Sequence, residues 1–165
     1  MSSSTSILPL KEGSTGSAVA RIQEFLTTLK FYSGQIDGVF GPQTKAAVIK
    51  FQQNQGLTVD GIVGTQTAIA LDDAVWVSQR ETLREGSKGD EVRNLQELFT
   101  NYFKAVNIDG IFGPKTKAVV IEFQKARGLN PDGIVGPKTW DSLYTLVTHD
   151  IPVEQRIEFI FGEGC

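Results

Sequence analysis

Four carboxylates head four copies of one eight-residue phrase, and by type and spacing they are the first residues of this chain to examine for chemistry. The copies are Asp37-Gly-Val-Phe-Gly-Pro-Gln-Thr44, Asp60-Gly-Ile-Val-Gly-Thr-Gln-Thr67, Asp109-Gly-Ile-Phe-Gly-Pro-Lys-Thr116 and Asp132-Gly-Ile-Val-Gly-Pro-Lys-Thr139. A carboxylate in such a place can accept hydrogen bonds from amide or hydroxyl groups of a ligand. It can equally accept backbone N–H bonds and fix its own turn, and this second role is the one Asp-Gly turns favour. The other candidates are arranged around the phrase. Phe40 and Phe112 can stack on a flat ligand face or plug the core. Lys45 and Lys117, just after the first phrase of each pair, can meet an anionic group or line a solvated helix face. Gln52 and Gln124, like Gln23 and Gln96, can contact a ligand or brace a loop. Tyr32 and Trp76 are not required by the repeat and are expected to be exposed. Trp140 stands where the other half has Ala68, which points to a contact between halves or a site in one half.

The repeat dictates the elements that position these residues. Within each pair the second phrase begins 23 residues after the first (37 to 60, 109 to 132), and the pairs lie 72 apart (37 to 109). Self-similarity at a fixed period exposes the folding unit, so the 165 residues divide into an arm at 1–9, a first domain at 10–72, a linker at 73–82, a second domain at 83–147 and a tail at 148–165. Domains this small sit near the lower limit for one stable core.

Each domain reads as three helices. The first follows Leu10-Lys-Glu-Gly-Ser-Thr-Gly16 or Leu83-Arg-Glu-Gly-Ser-Lys-Gly89, with Ser17 or Asp90 as a capping residue. Val19, Ile22, Phe25, Leu26 and Leu29, matched by Val92, Leu95, Leu98, Phe99 and Tyr102, recur at helical steps. The second begins at Pro42 or Pro114, where a missing N–H is harmless, and stops at Gly56 or Gly128. It buries Ala47, Val48 and Phe51, or Val119, Val120 and Phe123. The third starts near Thr65 and Pro137 and carries Ile69 and Leu71, or Trp140 and Leu143.

These strings, Gly-Ser-x-Gly-x-x-Val-x-x-(Ile/Leu)-Gln, Asp-Gly-x-Phe-Gly-Pro-x-Thr, Phe-Gln-x-x-x-Gly-Leu and Asp-Gly-Ile-Val-Gly-x-x-Thr, occur twice in the same order. Together they resemble the peptidoglycan-binding-like domain, a small three-helix module found beside many cell-wall hydrolases. The resemblance covers both domains nearly end to end. It implies a mainly α fold of two tandem three-helix domains, and binding of peptidoglycan through its glycan or stem peptide, usually as an anchor for a separate catalytic domain; no catalytic domain is expected within these 165 residues. By residue type and place in the repeat, the candidates for wall contact are Tyr32, Asp37, Phe40, Lys45, Gln52, Asp60, Asp109, Phe112, Lys117, Gln124, Asp132 and Trp140.

Other chemistries fit poorly. One histidine, His149, and one cysteine, Cys165, do not make a nucleophile and base, and no spacing suits a zinc or calcium site. No catalytic residue, metal or cofactor is expected. A net charge of −3 without a basic run argues against nucleic acid, and no apolar stretch is long enough to insert in a membrane. Met1-Ser-Ser-Ser-Thr-Ser-Ile-Leu-Pro-Leu10 does not read as a Sec signal. The expectation is therefore synthesis in the cytoplasm, with access to the envelope by lysis, a particle or a non-Sec route.

Glu154-Gln-Arg-Ile-Glu-Phe-Ile-Phe161 alternates like a strand, with Ile157, Phe159 and Phe161 on one side. Such a strand can pair within the chain or dock a protein partner. The alternative function is accordingly a structural adaptor in a phage tail, contractile injection particle or envelope complex.

Overall fold

The computed structural model describes residues 7–162. Cys165 and the first six residues of the expected N-terminal arm lie outside them. Among the described residues there are seven helices and no strands: α1 (Ser17–Thr28), α2 (Pro42–Gln55), α3 (Thr65–Ser78), α4 (Asp90–Tyr102), α5 (Pro114–Ala126), α6 (Pro137–Thr148) and α7 (Val153–Phe161). They form two compact units. Unit 1 takes the chain through Val75 and again from Ile151 onward; unit 2 is Trp76–Asp150.

In unit 1, Val19, Ile22, Phe25 and Leu26 of α1 meet Ala47, Val48 and Phe51 of α2 and Ala68 and Leu71 of α3 in one buried cluster. Unit 2 repeats it with Val92, Leu95 and Phe99, then Val119, Val120 and Phe123, then Trp140 and Leu143. These are the stripes that helical periodicity marks out. Tyr102 is the exception, being half exposed, since it sits on the last residue of α4.

Proline occupies the first turn of α2, α5 and α6. α2 ends on Gly56 in the left-handed conformation, and Gly128 adopts the same conformation one residue beyond the Arg127 cap of α5. The starts of α1 and α4 differ from expectation. Ser17 and Asp90 are the first helical residues, while Gly16 and Gly89 take the capping place with no side-chain cap. Their φ values of 120° and 119° lie where an L side chain is strained. That conformation lets the Gly16 N–H donate to the Gly38 carbonyl at 2.9 Å, and the Gly89 N–H to that of Gly110 at 2.9 Å.

The opening segment thereby becomes the strap of each unit. Leu10 and Val63 exchange backbone hydrogen bonds of 3.0 and 2.8 Å, as do Leu83 and Val135. Phe40 N–H donates to Ser14 and Gly13 N–H to Phe40; Phe112, Ser87 and Gly86 repeat the pattern. One extended segment is thus tied to both phrases of its unit.

Two regions depart from the sequence reading. The stretch expected as a linker is helical through Ser78, at the end of α3. The expected docking strand is α7, and it belongs to unit 1. Ile157, Ile160 and Phe161 are spaced i, i+3, i+4, so the sequence satisfies the helical period as well as the alternating one. Packing decides between them. Ile160 and Phe161 are buried in the unit 1 core with Ile157 against it, and Phe159 is 73% exposed. Arg156 pairs with Asp73 of α3. Ile157 and Phe161 are therefore core contacts of unit 1 and not a docking edge.

Burial on a helical stripe has a direct consequence. Ile160→Ala should destabilise unit 1 by about 2–4 kcal/mol and Phe159→Ala by no more than about 0.5 kcal/mol, measured by denaturant unfolding of the full chain. Strand alternation predicts the reverse order.

Candidate functional site

Each phrase closes around one buried glutamine. In the first phrase of unit 1, Gln23 of α1 points its amide into the turn. Its Nε2 donates to Asp37 Oδ1 (3.0 Å), the Val39 carbonyl (3.1 Å) and Thr44 Oγ1 (3.1 Å), and its Oε1 accepts from Gly38 N–H (3.0 Å). Gln52 of α2 makes the same set in the second phrase, to Asp60 (2.9 Å), Ile62 (3.0 Å) and Thr67 (3.2 Å), and accepts from Gly61 (2.9 Å). In unit 2, Gln96 of α4 holds Asp109, Ile111 and Thr116 and accepts from Gly110. Gln124 of α5 holds Asp132, Ile134 and Thr139 and accepts from Gly133. All four glutamines are fully buried or nearly so.

The local reason is geometric. Each Asp Oδ1 also accepts the N–H two residues on, at 2.9 Å in all four copies, which is an Asx-turn. The following glycine takes φ near 70°, and this turns its N–H inward to the glutamine oxygen. At Gly38 a Cβ would come within 3.0 Å of the Gly16 carbonyl oxygen, so a side chain is excluded by space as well as by φ. Hydrogen bonds to the ionised form hold all four carboxyls below their ordinary value. For Asp37 the Gln23 amide is the leading cause; for Asp60, Asp109 and Asp132 it is the backbone N–H of Ile62, Ile111 and Ile134, followed by the glutamine.

The other sequence candidates fall into place around these clusters. Phe40 and Phe112 are core residues. Tyr32, expected on the surface, is only 8% exposed; its hydroxyl donates to the Gln35 carbonyl (2.8 Å) and accepts from Gln23 (3.4 Å). Lys45 and Lys117 are tied up at home. Lys45 pairs with Glu12 and Lys117 with Glu85, each at 3.1 Å, and their stems lie over Gly61 and Gly133, at Cγ distances of 3.0 and 2.9 Å from where a Cβ would stand. Each lysine thus links strap, helix and second turn, through ion pairs that are half exposed and individually weak.

Trp140 is buried inside unit 2, and its indole N–H donates to the Glu81 carbonyl at 2.8 Å. Its ring meets that of Trp76 edge-on at 5.9 Å, Trp76 stacks on Tyr144 at 4.5 Å, and the Arg80 guanidinium lies 4.1 Å from the Trp76 centroid while pairing with Glu91. The Trp140/Ala68 difference therefore reflects aromatic packing within unit 2.

What the clusters present outward is a set of grooves. In unit 2 one groove of about 480 Å³ lies beside the second turn, lined by Asn130, Asp132, Ile134, Pro137 and Lys138 among others. Another of about 390 Å³ lies beside the first, lined by Asn107, Asp109, Ile111, Pro114 and Lys115. Sequence reasoning missed the asparagines and these lysines. A signal was present: the seventh place of the phrase is lysine in both unit 2 copies and glutamine (Gln43, Gln66) in both unit 1 copies. Among the described residues no group of three or more His, Cys, Asp or Glu is arranged to hold a metal ion.

Comparison with known proteins matches the sequence of both units to a family. Residues 15–71 and 88–143 match the family described as putative peptidoglycan binding domain, and the chain belongs to it, with two copies of the domain. The chain is similar to the N-acetylmuramoyl-L-alanine amidases CwlL of Bacillus licheniformis (34% identical, 84% of this chain and 46% of that protein) and CwlM of Mycobacterium tuberculosis (36%, 83% and 37%). It spans less than half the length of these relatives. Among solved structures, the SleB N-terminal domain shares 38% identity and covers 42% of this chain and 96% of its own, with a TM-score of 0.42.

Replacing a clamp glutamine by an apolar side chain of similar size leaves a carboxylate, a hydroxyl and two backbone groups short of a partner. Gln124→Met should lower stability at neutral pH by about 2–4 kcal/mol. The sign with pH follows from carboxyls held below the ordinary 3.8. Their contribution is complete above that value and is lost as pH falls through the folded-state values. Wild-type stability should therefore drop on acidification below about pH 4, and Gln124→Met should show a shallower drop, read by denaturant unfolding from pH 2 to 7.

Proposed function

We propose that this chain is a non-catalytic binder of bacterial cell-wall peptidoglycan acting through its two tandem domains. The observation that carries the reading is the double family match over both three-helix units. The duplicated clamps support it: four turns are held rigid by buried amides, which suits a surface that must meet a repetitive, stiff polymer without reordering. Two tethered domains on such a polymer gain from effective concentration even where each binds weakly. Relatives named as amidases extend well beyond the stretch they share with this chain, so the shared part is taken here as the binding part. The adaptor alternative rested in part on a C-terminal docking strand, and residues 153–161 are helical and packed into unit 1.

The test is co-sedimentation of the full-length protein with purified insoluble sacculi at low and moderate salt. The protein should pellet with the sacculi at both. Protein that stays in the supernatant while circular dichroism shows an intact helical fold would contradict the reading.

A further inference from the structure

The four turns share one clamp but not one surface. In unit 2 both grooves carry a lysine on the first turn of the following helix, Lys115 on α5 and Lys138 on α6, and an asparagine two residues before the aspartate, Asn107 and Asn130. Lys115 and Lys138 are exposed, and among the described residues neither has an ion pair or hydrogen bond, in contrast to Lys45 and Lys117, which are held by Glu12 and Glu85. At the matching places unit 1 has Gln43 and Gln66, with Gln35 and Thr58 before the aspartates.

The charge balance differs accordingly. Every turn holds one ionised carboxylate, fixed from behind by its glutamine. In unit 2 an exposed ammonium that is unpaired among the described residues stands on the same groove; in unit 1 a neutral amide stands there. The groove floors are apolar beside these groups. Ile111, next to the first lysine, is 49% exposed, and Ile134 lines the second groove. An exposed aliphatic side chain, an amide and an unpaired ammonium around one concavity suit a short peptide that ends in a carboxylate: the aliphatic surface meets its side chains, the asparagine its backbone, and the lysine its terminus.

We infer that unit 2 is the unit that recognises the stem peptides of the wall, with Lys115 and Lys138 each taking a free stem-peptide carboxylate in paired grooves, while unit 1 lacks this anion contact. The inference rests on the peptidoglycan-binding reading and narrows it to one domain and one chemical group. Two equivalent grooves in one small domain, related by the internal repeat, give it two chances to engage neighbouring peptides on a polymer that displays them at regular intervals.

The experiment compares full-length wild type with the double variant Lys115→Gln/Lys138→Gln, which writes the unit 1 residues into unit 2. Each is titrated on intact sacculi and on sacculi whose carboxylates have been capped as amides with carbodiimide and glycinamide. Lys45→Gln/Lys117→Gln serves as the control for lost positive charge. Wild type should bind capped sacculi about tenfold more weakly than intact ones, the size of one charge-assisted hydrogen bond. The Lys115/Lys138 variant should bind intact sacculi weakly by the same factor and no longer distinguish the two forms, while the control should distinguish them as wild type does. Wild type left in the supernatant with both forms overturns the wall-binding reading and this inference with it. Wild type that binds intact sacculi, with the Lys115/Lys138 variant equally tight, overturns this inference alone. Capping without effect on wild type does the same, and that arm needs no variant to fold.

Discussion

A primary amide buried away from water must find partners for two N–H donors and a carbonyl oxygen, or it destabilises the fold by more than it contributes. Four glutamines in this protein meet that demand in the same way, and the architecture follows from how they do it. The amide of Gln23, Gln52, Gln96 or Gln124 can be satisfied only if an aspartate, a glycine N–H, a carbonyl and a threonine hydroxyl converge on it. This convergence fixes the path of eight consecutive residues and sets the start of the next helix. Each helix thereby hands its successor a defined direction through a polar lock, and the apolar stripes fill in between. The strap from Leu10 to Gly16, and its counterpart from Leu83 to Gly89, then ties the two locks of a unit together through backbone bonds.

The two units spend the same plan differently. Unit 2 fills the third-helix position with Trp140 and builds an aromatic cluster around it with Trp76 and Tyr144. Unit 1 has Ala68 there, and its core is enlarged from elsewhere in the chain: α7 brings Ile160 and Phe161 to the α1 side and clips to α3 through Arg156 and Asp73. The short loop after the first helix also diverges. In unit 1 Tyr32 folds inward and joins the Gln23 lock; in unit 2 Lys104 turns outward to Glu122. The glutamine, aspartate, glycine and threonine of each lock do not change, so divergence is confined to what is added around them.

Much of this was legible in the residues. The repeat gave the units and their three helices, because glycine, proline and apolar spacing act locally and all agreed. The family resemblance came from the same strings. The role of the aspartates as turn-fixing groups was also readable, since an Asx-turn needs only its own backbone. Three of the departures show why the rest was not legible. The strand assigned to 154–161 failed because Ile157, Ile160 and Phe161 fit both periods, and only the α1 surface they pack against separates the two. Ser17 and Asp90 are reasonable caps by type, yet the cap is a glycine because the strap needs its φ. Tyr32 looked superfluous to the repeat and proved to be part of a lock, which depends on a contact nine residues away that no local pattern reveals.

Amide hydrogen exchange of the full chain by NMR addresses the central claim, that the buried glutamines make these turns part of the cooperative fold. The N–H groups of Gly38, Gly61, Gly110 and Gly133 sit in turns but donate to glutamine oxygens at 2.8 to 3.0 Å. The account predicts that all four exchange only through global unfolding, as slowly as the core amides of α1 and α4. Exchange at the rate of an exposed loop, with the helices still protected, would contradict it: the turns would then open on their own, and the locks would be a consequence of helix packing and not its cause.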